Sequence, residues 1–308
     1  MKRDSIYYSN APVIGRFAPS PTGPLHFGTL VAAVASYLQA RRAGGRWLLR
    51  IEDLDPPRVV AGAAATLLTL LETLGFCWDG EVVYQSRRSA RYREILADLR
   101  SRQLVFDCNC SRREILASAP HSGEEGPVYP ATCRNGMRGQ RRQFAVRLRV
   151  PDEEIRYIDG IQGEQRQHLA QQVGDFVLYR ADGLFAYQLA VVVDDLDAGV
   201  TQVVRGADLL SSTPRQIWLY RCLGAAAPDY YHHPLVLGED GRKLSKRDGG
   251  YQLINPSNGA LMLWQALAFL GQDPPVALAA ECPPVILRWG MDHFSMERVS
   301  SLVCPSDS

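Results

Sequence analysis

The first 55 residues constrain the fold most. "PVIGRFA" (12–18) is a strand pattern, and the Pro/Gly stretch over 19–24 is a loop. "TLVAAVASYLQARRAGG" (29–45) predicts a buried helix that ends on glycines, with basic residues in its last turn. "RWLLRIEDLD" (46–55) is a second strand running into acidic residues. Helices over 59–75 and 88–102 continue the alternation. Alternating strands and helices indicate an α/β domain with a parallel sheet.

The alternation breaks over 107–142, where the chain turns polar, rich in Pro and Gly, and gathers cysteines. This stretch is expected to be an insertion. "QFAVRLRVP" (143–151) and "DFVLYR" (175–180) are strand patterns, "FAYQLAVVVDDLDAG" (185–199) a helix and turn, "VTQVVRG" (200–206) a strand and "STPRQIWLYRCLG" (212–224) a helix. The α/β pattern is therefore expected to resume after the insertion. From 249 onward the segments predict helices in a small terminal domain. A chain of 308 residues suffices for one large domain plus a smaller one.

A helix N-terminus exposes unpaired N–H groups and partial positive charge, so the tip at 26–29 favours a phosphate. Gly28 allows close approach of a ligand to the backbone, and the His26 imidazole can bond a phosphate oxygen. A turn with a core histidine fits the same residues equally well. Composition sharpens the choice. Of 34 basic residues only Lys2, Lys243 and Lys246 are lysine, and the last two sit in "RKLSKRDGG". Arg is a planar fork and Lys a compact, mobile point charge. Lysine kept in so Arg-rich a chain suggests work that Arg cannot do.

The remaining bounds are broad. No apolar run approaches the ~20 residues that span a bilayer, and the N-terminus has no apolar secretory segment, so the expected location is the cytoplasm. A net charge of +1 advertises no polyanionic partner. Seven cysteines, an odd number, argue against a disulfide framework. Cys108, Cys110 and Cys133 cluster in the insertion and suggest a metal site. A structural zinc site is usually closed by four ligands. His121 and Tyr129 are the candidates for the fourth, and metal chemistry alone favours the imidazole. Arg134, Arg138, Arg141 and Arg142 follow, as a phosphate-contacting cluster or a solvated face.

"PSPTGPLHFGT" (19–29) and "KLSKR" (243–247) resemble the two signature motifs of class I aminoacyl-tRNA synthetases. "RFAPSPTG" (16–23), "RIEDLD" (50–55), "DFVLYRADGLFAYQLAVVVDD" (175–195) and "RGADLLSSTPRQ" (205–216) extend the likeness to the glutamyl branch, over roughly residues 13–260. The resemblance implies a Rossmann-like catalytic domain over 1–248, interrupted by a zinc-binding insertion at 107–142. A small helical, stem-contact-like domain follows over 249–308. It implies ATP-dependent activation of L-glutamate, with Mg2+ accompanying ATP. His26, Gly28, Lys243 and Lys246 are then catalytic, and His26, Gly28, Thr29 and Lys246 hold ATP. Thr29 and Arg247 depart from the usual signatures. Arg16, Phe17, Ala18, Pro19, Ser20, Glu52, Tyr187 and Arg205 line the glutamate pocket. Family likeness favours Tyr129 as the partner of Cys108, Cys110 and Cys133 on one structural Zn2+.

Only about 60 residues follow the lysine motif, too few for a further anticodon-reading domain of ~100 residues. A glutamyl catalytic half without that reader resembles the glutamyl-queuosine tRNA(Asp) synthetase family, which transfers glutamate to queuosine at the wobble position of tRNA(Asp). Ala207 in "RGADLLSS", where ordinary glutamyl enzymes tend to have an acid, points the same way. A monomer acting on tRNA(Asp) carrying queuosine, with no membrane contact, is the expectation. A truncated glutamyl-tRNA synthetase, a nucleotidyltransferase and a non-catalytic zinc-containing RNA-binding paralogue stay open as alternatives.

Overall fold

In the computed structural model the described residues are 12–119, 121–123, 126–137, 143–236 and 253–301. β1 (Ile14–Phe17), α1 (Phe27–Arg42) and β2 (Arg46–Ile51) form the expected unit. β1 and β2 pair in parallel, from Ile14 beside Arg46 to Phe17 beside Leu49. α2 (Ala63–Thr73) follows, and β3 (Val83–Tyr84) pairs in parallel with the end of β2.

After α3 (Ser89–Ser101) the topology changes. β4 (Val105–Cys108) leads into α4 (Arg112–Ser118), whose Ser111 and Glu114 form a reciprocal capping box. β5 (Ser122–Gly123) and β6 (Gly126–Pro127) make a minimal antiparallel pair. β7 (Ala145–Leu148) returns antiparallel to β4. A hairpin of β8 (Glu154–Asp159) and β9 (Gly163–His168) precedes α5 (Leu169–Gln172) and β10 (Phe176–Tyr179). β10 is antiparallel to the other edge of β7. The strands expected over 143–151 and 175–180 therefore form, but in a separate antiparallel sheet with β4.

The parallel order resumes after α6 (Tyr187–Asp197), with β11 (Gln202–Gly206), α7 (Thr213–Cys222) and β12 (Asp229–His233). β11 and β12 pair in parallel. The Thr201 N–H donates to the Ile14 carbonyl at 2.9 Å, which sets β11 beside β1. The strand order is then β3-β2-β1-β11-β12, a doubly wound arrangement that reverses between β1 and β11.

Two hydrophobic cores cover the two faces of this sheet. Successive strand residues point to opposite faces, and accordingly Val204 joins one core and Val203 the other. The first core holds α1 with Trp47, Leu49 and Ile51, and the second holds residues of α3, α6 and α7. α8 (Gly259–Phe269) and α9 (Pro283–His293) pack on α1 and share its core. Covered on both sides, α1 is apolar around most of its circumference. The backbones of α1 and α9 meet closely: a Cβ on Gly290 would sit 2.9 Å from Leu38 Cδ1. Among the described residues, the helices after 249 thus have no core separate from α1. No described helix is long and apolar enough to cross a membrane.

Candidate active site

From β1 the chain turns toward β2, and from β11 it turns toward β12. The carboxyl ends of β1 and β11 therefore flank the reversal point, where open α/β sheets hold their ligands. A cavity of about 520 Å3 opens there. Arg16 and Phe17 from β1, with Ala18, Pro19 and Ser20 from the following loop, form one wall. His26, Gly28 and Thr29 bring the tip of α1. Glu52 enters from the end of β2, Tyr187 from the start of α6, and Arg205 from β11. Every described residue expected for glutamate or ATP lines this one cavity.

At the tip of α1, His26 is the cap. Its Nδ1 accepts from the Thr29 N–H at 3.3 Å, and the Thr29 hydroxyl lies 2.9 Å from Nε2. A Cβ on Gly28 would approach nothing closer than the His26 ring, at 3.6 Å. Protein packing does not demand glycine there, and its smallness leaves the space to the cavity. Lys243 and Lys246 lie outside the described residues. The described residues flanking that segment are both at the tip: Val236 lines the cavity, and Leu253 bridges to His26.

The amino-acid side of the cavity is built on buried charge. Arg16 donates through Nε to both carboxylate oxygens of Asp195 at 3.2 Å, and no described residue takes its two Nη nitrogens. Arg50 pairs with Asp195 and, at 3.2 Å, with Glu52. Burial would raise the Asp195 carboxyl, but the Arg16 and Arg50 guanidiniums hold it below its ordinary value. Glu52 is pushed up by burial despite Arg50 and Arg16. Its N–H is fixed on the Pro19 carbonyl at 3.0 Å, which ties it to the loop after β1.

Arg205 is oriented from behind. Its Nε donates to His232 Nε2 at 3.0 Å, and Nη2 donates to the Thr213 hydroxyl at 2.8 Å. Nη1 reaches the Tyr187 hydroxyl at 3.4 Å. His232 Nδ1 lies 2.5 Å from Asp159 Oδ2, and both side chains are fully buried. With Nε2 accepting, the proton sits on Nδ1, and the imidazole is neutral. Burial pushes His232 down to about 4 although Asp159 pulls it up. Asp159 stays ionised: burial opposes this, but His232 and the N–H groups of Ile161 and Gln162 hold its carboxyl low.

The cysteines also converge. The Sγ atoms of Cys108, Cys110 and Cys133 lie within 4.8 Å of one another, a grouping that can hold a metal ion. The Tyr129 hydroxyl lies 3.3 Å from Cys108 Sγ and accepts the Cys133 N–H at 2.9 Å. His121 is exposed and takes no part in the group. Burial and the neighbouring sulfurs push the Cys110 thiol up to about 12. A cation held by these three sulfurs would favour their thiolate forms.

Sequence reasoning missed Asp195, Arg50, Asp159 and His232. For Asp195 a signal exists in "VVVDDLD": two consecutive acids inside an apolar helix need buried counter-charges. For Asp159 and His232, in "YIDG" and "YYHHP", no local signal exists.

Comparison with known proteins gives a consistent picture. The family model "tRNA synthetases class I (E and Q), catalytic domain" matches residues 12–257. A Glutamyl-Q tRNA(Asp) synthetase of Geobacter sulfurreducens is 53% identical over 300 residues, 96% of this chain and 96% of its own length. One from Dechloromonas aromatica is 53% identical over 94% of this chain and 96% of its own. Among solved structures, a glutamate tRNA ligase from Elizabethkingia meningosepticum, in complex with its amino acid, superposes with a TM-score of 0.77 at 26% identity. That match covers 94% of this chain and 66% of the ligase.

Proposed function

Because the chain belongs to the class I tRNA synthetases of the glutamate and glutamine group, we propose that it activates L-glutamate with ATP and transfers it to queuosine at the wobble position of tRNA(Asp). The observation that carries the activation step is the single cavity joining the α1 tip to Arg16, Glu52, Tyr187 and Arg205. The acceptor follows the names of relatives that match along nearly their whole length.

Arg16 and Arg205 take the two carboxylates of glutamate, since a guanidinium gives charge-assisted, fork-shaped recognition. Glu52 takes the ammonium, and Tyr187 shapes the pocket through its hydroxyl. A glutamate carboxylate oxygen attacks the α-phosphorus of ATP, the P–O bond to pyrophosphate breaks, and glutamyl-adenylate forms. His26, Thr29 and the N–H groups beside Gly28 receive the phosphate charge at the helix tip. Lys246 and Lys243 add positive charge to the same transition state; donors aimed at such charge are worth ~10²–10³ in rate. Mg2+ accompanying ATP would supply charge neutralisation on the phosphates. A hydroxyl of the queuosine cyclopentene diol then attacks the adenylate carbonyl, AMP leaves, and an ester forms. The diol chemically imitates the ribose diol at a tRNA end, so one site geometry suits it.

Cys108, Cys110, Cys133 and Tyr129 would hold a structural Zn2+, which fits the soft donor set and would cross-link the 107–142 insertion. It takes no part in the chemistry. The insertion interrupts a catalytic unit over 1–248, and the protein works in the cytoplasm, where its tRNA is.

The deciding experiment is transfer of labelled glutamate to tRNA(Asp) with and without queuosine and, in parallel, to tRNA(Glu), with nuclease mapping of the labelled nucleoside. Label on the queuosine nucleotide is expected. Label at the 3′ end of tRNA(Glu) instead identifies an ordinary charging enzyme and overturns the acceptor.

A further inference from the structure

Two groups of opposite charge share the amino-acid end of the cavity without bonding one another. Arg16 and Glu52 both line it. Each instead has a partner that does not: Arg16 pairs with Asp195, and Glu52 with Arg50. The two Nη nitrogens of Arg16 and Oε2 of Glu52 have no partner among the described residues, and all three keep surface that solvent reaches. They are therefore open on the side that meets a substrate. Such an arrangement needs a cause. A guanidinium and a carboxylate in one buried space lower their desolvation cost by pairing. Had these two done so, the cavity would offer a zwitterionic amino acid nothing.

Asp195 stands between them. Arg16 Nε donates to both of its oxygens at 3.2 Å, and Arg50 Nη1 donates to Oδ1. Arg50 then reaches Glu52 Oε1 through Nη2 at 3.2 Å. The order is Arg16, Asp195, Arg50, Glu52, with alternating sign. The ends line the cavity, and the middle members lie behind it. Arg16, Asp195 and Arg50 are all buried. The adjacent acid of α6 cannot stand in for Asp195. Successive helix residues are turned by about 100°, and Asp194 serves other groups. Gln85 and Tyr92 each donate to its Oδ2 at 2.8 Å, and Arg88 donates to its Oδ1 at 2.5 Å. Arg50 Nε comes no nearer to Asp194 than 3.8 Å.

We propose that Asp195 is a positioning residue for amino-acid binding: it engages Arg16 and Arg50 so that Arg16 and Glu52 do not neutralise one another, and each stays open to a substrate group of opposite charge. The proposal rests on glutamate being the amino acid that the cavity takes. Without the Asp195 charge, Arg16 and Arg50 compete for the one acid left at the cavity, Glu52. The Arg16 fork is then lost to a substrate carboxylate, and Glu52 to the ammonium.

Calorimetric titration of the full chain with L-glutamate and with glutarate reads the two ends separately. Glutarate has two carboxylates and no ammonium, so it reports on the arginines without Glu52. In Asp195→Asn the Kd for glutarate is expected to rise by about tenfold or more, the range of a hydrogen bond to a charged group. Adding Glu52→Gln releases Arg16. The double variant should then bind glutarate within about twofold of Glu52→Gln alone, a non-additivity that marks direct coupling. Glutamate stays weakly bound in it, since its ammonium has lost its acid. A merely structural defect at Asp195 is not mended by removing a second acid. An unchanged glutarate Kd in Asp195→Asn, or no recovery in the double variant, overturns the proposal.

If Asp195→Asn does not fold, Glu52→Gln alone decides. With Asp195 in place Arg16 keeps its posture, so the glutarate Kd should stay near the wild-type value while the glutamate Kd rises by about tenfold. An equal loss of both ligands would mean that Glu52 holds Arg16, and would overturn the role of Asp195. Wild-type protein that binds neither ligand removes the glutamate reading and the proposal with it. Wild-type binding of both without the expected variant pattern removes only the role of Asp195.

Discussion

Arg205 is held by a neutral imidazole. Were His232 protonated, its Nε2 would present a hydrogen to the Arg205 Nε–H, and two like charges would share a buried space. The Asp159 carboxylate fixes the tautomer that avoids this. A hydrogen bond to a charged group is worth ~1.5–3 kcal/mol, or roughly 10–100-fold in binding. His232→Gln is therefore expected to raise the glutamate KM by about tenfold or more, with kcat little changed. Steady-state pyrophosphate exchange checks it, and a KM unchanged in a folded variant refutes the orienting role. Glu52 carries a pH dependence. Its carboxyl is raised in the free site, and only the ionised form attracts the substrate ammonium. The glutamate KM should then climb as pH falls, beginning above the ordinary carboxylate range, and Glu52→Gln should flatten the profile.

The tip of α1 and the crossing of α1 with α9 show two uses of glycine at the scale of the element. At Gly28 a Cβ meets no atom closer than 3.6 Å, so Gly28→Val leaves the fold intact and fills the ATP side of the cavity. The expected result is an ATP KM raised at least tenfold with an unchanged melting temperature. At Gly290 a Cβ would press on Leu38. Gly290→Val should cost roughly 1–3 kcal/mol of stability, read in urea, with exchange activity per folded molecule unaltered. The sequence shows the βαβ unit because its helix is long, apolar and capped by glycines. It shows the cysteine cluster because three cysteines crowd one polar stretch. The hairpin of β8 and β9 escapes notice because β9 has no apolar residue and β8 buries only Ile155 and Asp159. β12, "DYYHH", is a short parallel strand without an apolar run. The acids of α6 make sense only beside arginines far along the chain: Asp195 and Arg50 are 145 residues apart. Pairings of that range leave no local periodicity. Lys243 and Lys246 stood out by composition and by the likeness of "KLSKR" to a signature motif, and they lie outside the described residues.

For the whole molecule, buried histidines set the acid limit. His232 falls to about 4 and His233 is also lowered, mainly by burial. The unfolded chain takes up protons on these imidazoles near 6.5 while the folded chain does not. Stability is thus full above that value and declines as pH falls from about 6.5 toward about 4. Each proton contributes a slope of roughly 1.4 kcal/mol per pH unit. Urea midpoints between pH 7 and 4.5 should fall less steeply in His232→Gln, and an identical slope would contradict the assignment. The sheet adds a different consequence. β1 feeds one core, β11 feeds both, and the cavity sits where their ends part. Anything bridging Arg16 and Arg205 fastens two halves of the protein together. Occupancy is then mechanical reinforcement: a ligand at 100 times its Kd adds about 2.7 kcal/mol to the folded state. Glutamate-like or adenylate-like compounds should announce themselves as a rise in melting temperature, before any catalysis is measured.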